Sequence, residues 1–226
     1  MIINVEYLEN NIMINDNKIM CLEIENKNYF YRIVKGFCDI SNGIISDQIN
    51  ISDYNNKELN LNGRLAVIID YFNQDFNSKK ILNNLYKTLT ECFDEQDKIR
   101  IGNYYNKIKN IISSSLSDYS LPLIINEDFE IENIYKLLKI EIEKKENLLD
   151  NLLLIIDIEN SFKINNLLVF INLKQYLNEN ELEELYKYCI YNSVKVILID
   201  SQCYGVANKF EKKLIIELLF TEFLVA

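Results

Sequence analysis

Apolar and polar positions follow two different periods along this chain, and Asn166 to Asp200 shows both in one stretch. Leu167-Leu168-Val169-Phe170-Ile171 is a short continuous apolar run, as expected of a strand buried on both faces. Asn178-Glu179-Asn180-Glu181 then opens a helix with a capping residue and early acids, and Leu182, Leu185, Tyr186, Cys189 and Ile190 recur at helical spacing behind it. Asn192-Ser193 ends that helix, and Val194 to Asp200 returns as a β-branched, nearly all-apolar strand. A strand, helix, strand unit of this kind predicts a right-handed crossover over a parallel sheet, and so an α/β fold.

Upstream, Ile2 to Val5 and Lys18 to Ile24 read as strands. Glu25 and Asn26 open a helix through about Ile40, with Phe30, Ile33, Val34 and Phe37 on one face. Gly43 and Asp47 mark turns, Ile49 to Ile51 reads as a short edge strand, and Leu65 to Asp70 as an interior one. From Ser78 to about Asn151 long helical patterns take over. Ser78 caps a run with Ile81, Leu82, Leu85, Leu89 and Phe93, and Asp97 starts a second with Ile101, Tyr104, Tyr105, Ile108 and Ile111. The two suit an antiparallel hairpin, with Tyr104 and Tyr105 in its core. Ser113 to Pro122 interrupts, then come a helix over Ile131 to Leu138, a short strand at Ile140 to Ile142, and a last long helix from Glu146 to Ser161. The predicted organisation is a discontinuous α/β head over residues 1–75 and 160–226, with a helical excursion over residues 76–159.

Composition supports one core carrying an insertion: 226 residues, 49% hydrophobic and 26% charged, leave no sign of bulk disorder. With one Pro and five Gly, turns and caps must come mostly from Asn and Asp. The five cysteines form no C-x-x-C pair and fall in apolar or helical contexts, which reads as buried reduced thiols and a cytoplasmic location. The start lacks a basic region and a small-residue cleavage site, and apolar runs are too short to span a bilayer, so no membrane role is expected. A net charge of −10 repels nucleic acid over most of the surface, so DNA binding would need a segregated basic face.

Zero histidines exclude Ser-His-Asp and Cys-His catalysis. The strand at 18–24 leads into a helix where a phosphate-cradling loop would sit, but Glu25-Asn26-Lys27-Asn28 has no glycine and the G-x-x-x-x-G-K-[ST] pattern is missing. Asp70 and Asp200 each follow an apolar strand, the place of a magnesium-holding acid in nucleotide hydrolases; without the cradle, a cap or strand-end acid is the simpler reading. Glu127, Asp128, Glu130 and Glu132 form the densest acidic cluster, either a metal site or an acidic helix N-terminus. Lys79, Lys80, Lys87, Lys98, Arg100, Lys107 and Lys109 concentrate positive charge on the first two excursion helices. They either solvate helix faces or, gathered around a concavity in an oligomer, line a phosphate track.

The order of elements resembles one family. Leu167 to Asn172, the Leu177-Asn178-Glu179 helix start, Val194 to Ile199 and Glu222-Phe223-Leu224-Val225 match it best, with Ile19 to Glu23 leading into Phe30-Tyr31-Arg32-Ile33-Val34, and Val67 to Asp70 leading to Phe76-Asn77-Ser78. These segments resemble the CRISPR-associated spacer-acquisition protein specific to subtype II-A systems, a ring-shaped binder of double-stranded DNA ends. No one segment is a catalytic signature; the specificity lies in their sum and order.

The resemblance implies an α/β parallel-sheet head shaped like a P-loop ATPase core without the P-loop or nucleotide chemistry, plus an inserted α-helical leg. It implies a homotetrameric ring with a positive central hole for duplex DNA, stabilised by calcium, working with other CRISPR-associated adaptation proteins. Of the acidic positions before the second leg region, only Glu127 and Asp128 match; Leu121-Pro122-Leu123-Ile124-Ile125 departs from the family pattern. Two other functions stay open on the residues alone: a metal-dependent nuclease or phosphotransferase using Asp70, Asp200 or residues 127–132, and a protein-binding α/β adaptor.

Overall fold

The computed structural model describes every residue except Asp16, Asn62, Ser117, Asp118, Pro122, Asn126, Glu127, Asp128 and Ala226. The chain divides into two compact units, one of Met1–Gln74 with Lys144–Ala226 and one of Asp75–Glu143. The outgoing boundary lies beside the one read from sequence, whereas the return comes at residue 144 rather than 160.

In the first unit, β1 (Ile2–Val5), β2 (Ile12–Met13) and β4 (Ile49–Ser52) form a small antiparallel sheet in the order β2-β1-β4. A six-stranded sheet holds β3 (Ile19–Ile24), β5 (Leu65–Ile68), β6 (Leu167–Ile171), β7 (Val196–Asp200), β8 (Glu211–Ile216) and β9 (Glu222–Val225), ordered β5-β6-β7-β3-β8-β9. Its first five strands run parallel and β9 pairs antiparallel with β8. Strands β3, β6 and β7 are buried along their whole length, which is why they read as apolar runs, interrupted only by Glu23 in β3 and Asp200 at the end of β7.

Side chains alternate across this sheet and give its faces different chemistry. Met20, Leu22, Ile24, Val169, Ile197, Ile199 and Leu214 join Ile33 and Phe37 of α1 (Lys27–Ser41) and Ile3 and Ile51 of the small sheet in one apolar core. The opposite face carries Cys21, Glu23, Asp200, Glu211 and Lys213. It meets α6 (Glu179–Tyr191), whose Tyr186 hydroxyl lies 4.0 Å from the Cys21 sulfur, and α6 packs beside α5 (Leu148–Phe162).

The second unit holds α2 (Lys79–Cys92), α3 (Glu95–Leu116) and α4 (Ile131–Leu137). Helices α2 and α3 pack against α4 more than against each other, so the expected antiparallel hairpin gives way to two helices joined through a short third. Tyr135 of α4 is buried and tilts against Tyr86 and Phe93, with ring centroids 5.6 and 6.2 Å away. Ile140 to Ile142 forms no strand. The Asn77 amide takes the place of a strand partner there, accepting from the Ile142 N–H at 2.7 Å and donating to its carbonyl at 3.0 Å.

Other expectations are corrected as well. The run read as an interior strand over residues 65–70 is an edge strand over Leu65–Ile68, because among the described residues β5 pairs with β6 alone. Cys21 and Cys189 are buried, but Cys92 and Cys203 are exposed and Cys38 is partly so, since a helical context places a residue without fixing its face. No helix among the described residues is long and apolar enough to cross a membrane.

Candidate functional site

The basic residues of the second unit sit on two helices of unlike character. On α2, at about 100° per residue, Lys80 and Lys87 fall roughly 20° apart and Lys79 about 80–100° to their side. On α3 the same arithmetic separates the cations into two rows: Lys98 and Lys109 fall about 20° apart, as do Arg100 and Lys107, and the rows lie roughly 180° from each other. Between the rows runs an arc of Ile101, Tyr104, Tyr105, Ile108, Ile111 and Ile112.

No residue of this 22-residue helix is buried. Tyr104 is 59% exposed, Ile108 56% and Ile111 69%, so Tyr104 is no core residue; Tyr105, half-buried, stacks on Phe129 at 4.4 Å. An exposed apolar arc edged on both sides by cations is the arrangement α3 presents.

Acids temper some of that charge. Lys98 pairs with Glu95 at 2.9 Å and Arg100 with Asp97 at 3.1 Å, both acids lying in the first turn where the helix dipole favours them. Lys107 lies over the Tyr104 ring, 5.5 Å from its centroid. Among the described residues, no ion pair reaches Lys79, Lys87, Lys107 or Lys109. These side chains are exposed or half-exposed.

The sequence-named acids are scattered. Asp70 is exposed and caps its own loop, accepting from the N–H groups of Phe72 and Asn73 and the Asn73 amide. The Asn73 side chain and those N–H groups hold its carboxyl below the usual range. Glu130 is the N-cap residue of α4 without a side-chain capping bond, and Glu132 lies in its first turn, as the helix-terminus reading predicts. Glu127 and Asp128 lie outside the described residues. Among the described residues, no group of three or more His, Cys, Asp or Glu converges to hold a metal ion. Where a phosphate loop would follow β3, the Asn26 side chain accepts from the N–H groups of Asn28 and Tyr29, so α1 caps itself.

A second cluster, in the first unit, was hidden from sequence reasoning. Lys174, from a 3-10 turn after β6, reaches Glu211 at 2.8 Å and Glu23 at 3.1 Å, while Lys213 reaches Glu23 at 2.8 Å. Tyr186 donates to Glu211 at 2.8 Å. All are buried, and the two ammoniums balance the two glutamates. Burial works against ionised Glu211, but Lys174 and the Tyr186 hydroxyl outweigh it and hold its pKa below normal. Burial would also lower Lys174, yet Cys21, Glu211 and Glu23 hold it above its ordinary value.

Asp200 is the fifth charge-bearing group here, paired in register with Glu23 and 0% exposed. Burial pushes its carboxyl up to about 7 against the pull of Lys174, with Glu23 and Glu211 adding to the rise. Ammonium groups among these carboxylates occupy the place a divalent cation would need, so the strand-end magnesium reading of Asp200 does not fit. The available signal was charge at inward-facing positions of apolar strands, as at Glu23 and Lys213.

The family model described as CRISPR-associated protein (Cas_Csn2) matches residues 45–217. The chain belongs to the Cas_Csn2 family. It is 25% identical over 151 residues to CRISPR-associated protein Csn2 of Enterococcus faecalis, covering 65% of this chain and 67% of that protein. The crystal structure of Stu0660 of Streptococcus thermophilus superposes with a TM-score of 0.65 at 11% identity, over 100% of this chain and 76% of that one. That likeness establishes the shared α/β fold. A Cas_Csn2 chain here carries a self-capped first helix with no glycine in the turn that leads into it, a balanced ion cluster under its sheet and a solvent-facing amphipathic α3.

Proposed function

We propose that this Cas_Csn2 protein binds the ends of double-stranded DNA without regard to sequence, as a homotetrameric ring, and supports spacer acquisition in CRISPR immunity without making or breaking a bond. The observation that carries the reading is α3: a long helix with an exposed apolar arc and a cation row along each edge. An isolated acidic chain gains nothing from leaving such an arc in water, whereas copies that cover the arcs against one another bring the flanking cations together. Self-association thus concentrates positive charge in a chain of net charge −10. Phosphate contacts of this kind are indifferent to base sequence, and a closed ring takes DNA only from an end.

Glu127 and Asp128, the proposed calcium contacts, lie outside the described residues; chelation followed by measurement of assembly mass tests whether the ion holds the ring. The contact with other adaptation proteins is likewise part of the proposal. The deciding experiment compares binding to linear and covalently closed circular duplexes of one sequence across a salt series, with light scattering on the same sample. Tetramers that bind linear DNA in preference, and lose it steeply with salt, support the reading. Equal affinity for the two forms removes threading, and a monomer that still binds removes the ring.

A further inference from the structure

The loop from Ser201 to Phe210, between β7 and β8, is held from below by the buried ion cluster. Glu23 accepts from the Tyr204 N–H at 3.0 Å, and Lys213 donates to the Gly205 carbonyl at 3.0 Å. Lys174 lies over the Tyr204 ring, 5.7 Å from its centroid, and Glu211 accepts from the Asn208 N–H at 3.1 Å. Both glutamates and both lysines of the cluster therefore also grip the loop. Both ammoniums are already committed to Glu23 and Glu211. Asp200 sits among them fully buried, with no hydrogen bond of ordinary geometry to either carboxylate oxygen.

We propose that Asp200 is a proton-operated latch for loop 201–210, closed when the carboxyl is protonated and loosened when it ionises. Protonated, it leaves two ammoniums balanced by two carboxylates. Ionised, it makes three buried carboxylates compete for two ammoniums where solvent screens them poorly. The groups facing it are Glu23 and Cys21 of β3, Lys174 after β6, Glu211 and Lys213 of β8, Tyr204 of the loop itself, Tyr186 of α6 and Tyr71 after β5. Lys174 is the cation that pulls on the Asp200 carboxyl, and its drift toward Asp200 takes it from Glu23, Glu211 and the Tyr204 ring. A cleft of about 550 Å³, lined by Lys174, Tyr186, Tyr204, Asn208 and Glu211, opens beside the cluster and offers the proton a route.

The direction of the linkage follows from burial, which raises the folded-state carboxyl above its unfolded value. Folded protein then holds the proton more tightly, so the contribution to stability is full below the ordinary carboxyl range and is lost as pH rises toward 7. Amide hydrogen exchange on the full-length protein, corrected for intrinsic rates, reads the latch directly. A single group with a midpoint near 7 changes protection of the 201–210 amides about tenfold between pH 6 and pH 8. Asp200→Asn should abolish that change and keep the pH 6 protection at pH 8. A ¹³C-carboxyl titration of wild-type protein supplies a reading that needs no variant: an Asp200 midpoint near 7 supports the latch. A midpoint in the ordinary carboxylate range, or an equal loss of protection in Asp200→Asn, overturns it.

Discussion

The Lys213 ammonium stands 2.8 Å from a Glu23 carboxylate oxygen with both side chains at 0% exposure. Removing one member leaves the other charged and buried. Lys213→Met also orphans the Gly205 carbonyl, and should cost about 3–5 kcal/mol, the range for a broken buried pair. Replacing both, as Glu23→Leu with Lys213→Met, removes two desolvated charges at once and should recover much of that loss. Urea denaturation of the two single variants and the double one measures the coupling. A Lys213→Met cost under about 1 kcal/mol would show that Lys174 alone suffices for Glu23.

At the start of α6, the Asn178 side chain accepts from the N–H groups of Asn180 and Glu181, and Glu181 returns a bond to the Asn178 N–H at 2.8 Å. Asn178→Ala strips two N–H groups of their acceptor and should cost about 1 kcal/mol, with a melting shift of about 2–4 °C. Glu181→Gln keeps an acceptor in reach of the Asn178 N–H and should cost less. Thermal unfolding followed by far-ultraviolet circular dichroism separates the two.

The cap residue and early acids at this helix start were legible in sequence, as were β6, α6 and β7, because each local signal agreed with its tertiary setting; the reciprocal Glu181 bond was not. Leu65 to Asp70 shows where the signal fails: an apolar run reports covered faces, not whether a strand has one neighbour or two, and β5 has only β6. Ile140 to Ile142 had the composition of a strand, but the Asn77 side chain answered its backbone instead. The ion cluster was unreadable for a different reason. Glu23 and Lys174 are distant in sequence from each other and from the Glu211–Lys213 pair; the parallel register sets Cys21 beside Lys213 and Glu23 beside Asp200, and the turn after β6 adds Lys174. The basic residues of α2 and α3 were found by counting charges, yet their division into two rows on α3 follows only from a helix unbroken over Glu95–Leu116.

That division makes a prediction for DNA binding. If both rows meet phosphate, Lys107→Glu on one edge and Lys109→Glu on the other should each weaken binding alike for unrelated sequences. Each should also flatten the dependence of log affinity on log salt, by about 0.9 for every phosphate left without its cation. Unfolding midpoints should not move, because neither residue is buried or ion-paired among the described residues. Fluorescence anisotropy over a salt series gives both quantities, and an effect confined to one edge would reduce the phosphate track to a single row.

The apolar arc of α3 decides whether those rows ever act together. Ile108→Asp and Ile111→Asp place charge on side chains 56% and 69% exposed in the single chain, so neither should lower the stability of an isolated chain. If the arc is covered by another copy, each variant buries an unpaired carboxylate at the contact, and the assembly should fall apart into smaller species. Leu22→Ala provides the contrast: fully buried in the head core, it should cost about 2–5 kcal/mol in unfolding while leaving the α3 contact chemistry intact. Light-scattering mass and denaturant titration, run side by side, distinguish a lost interface from a lost fold. Variants that keep the wild-type mass would place the contact between copies elsewhere, and would leave the two cation rows of each α3 to meet DNA one chain at a time.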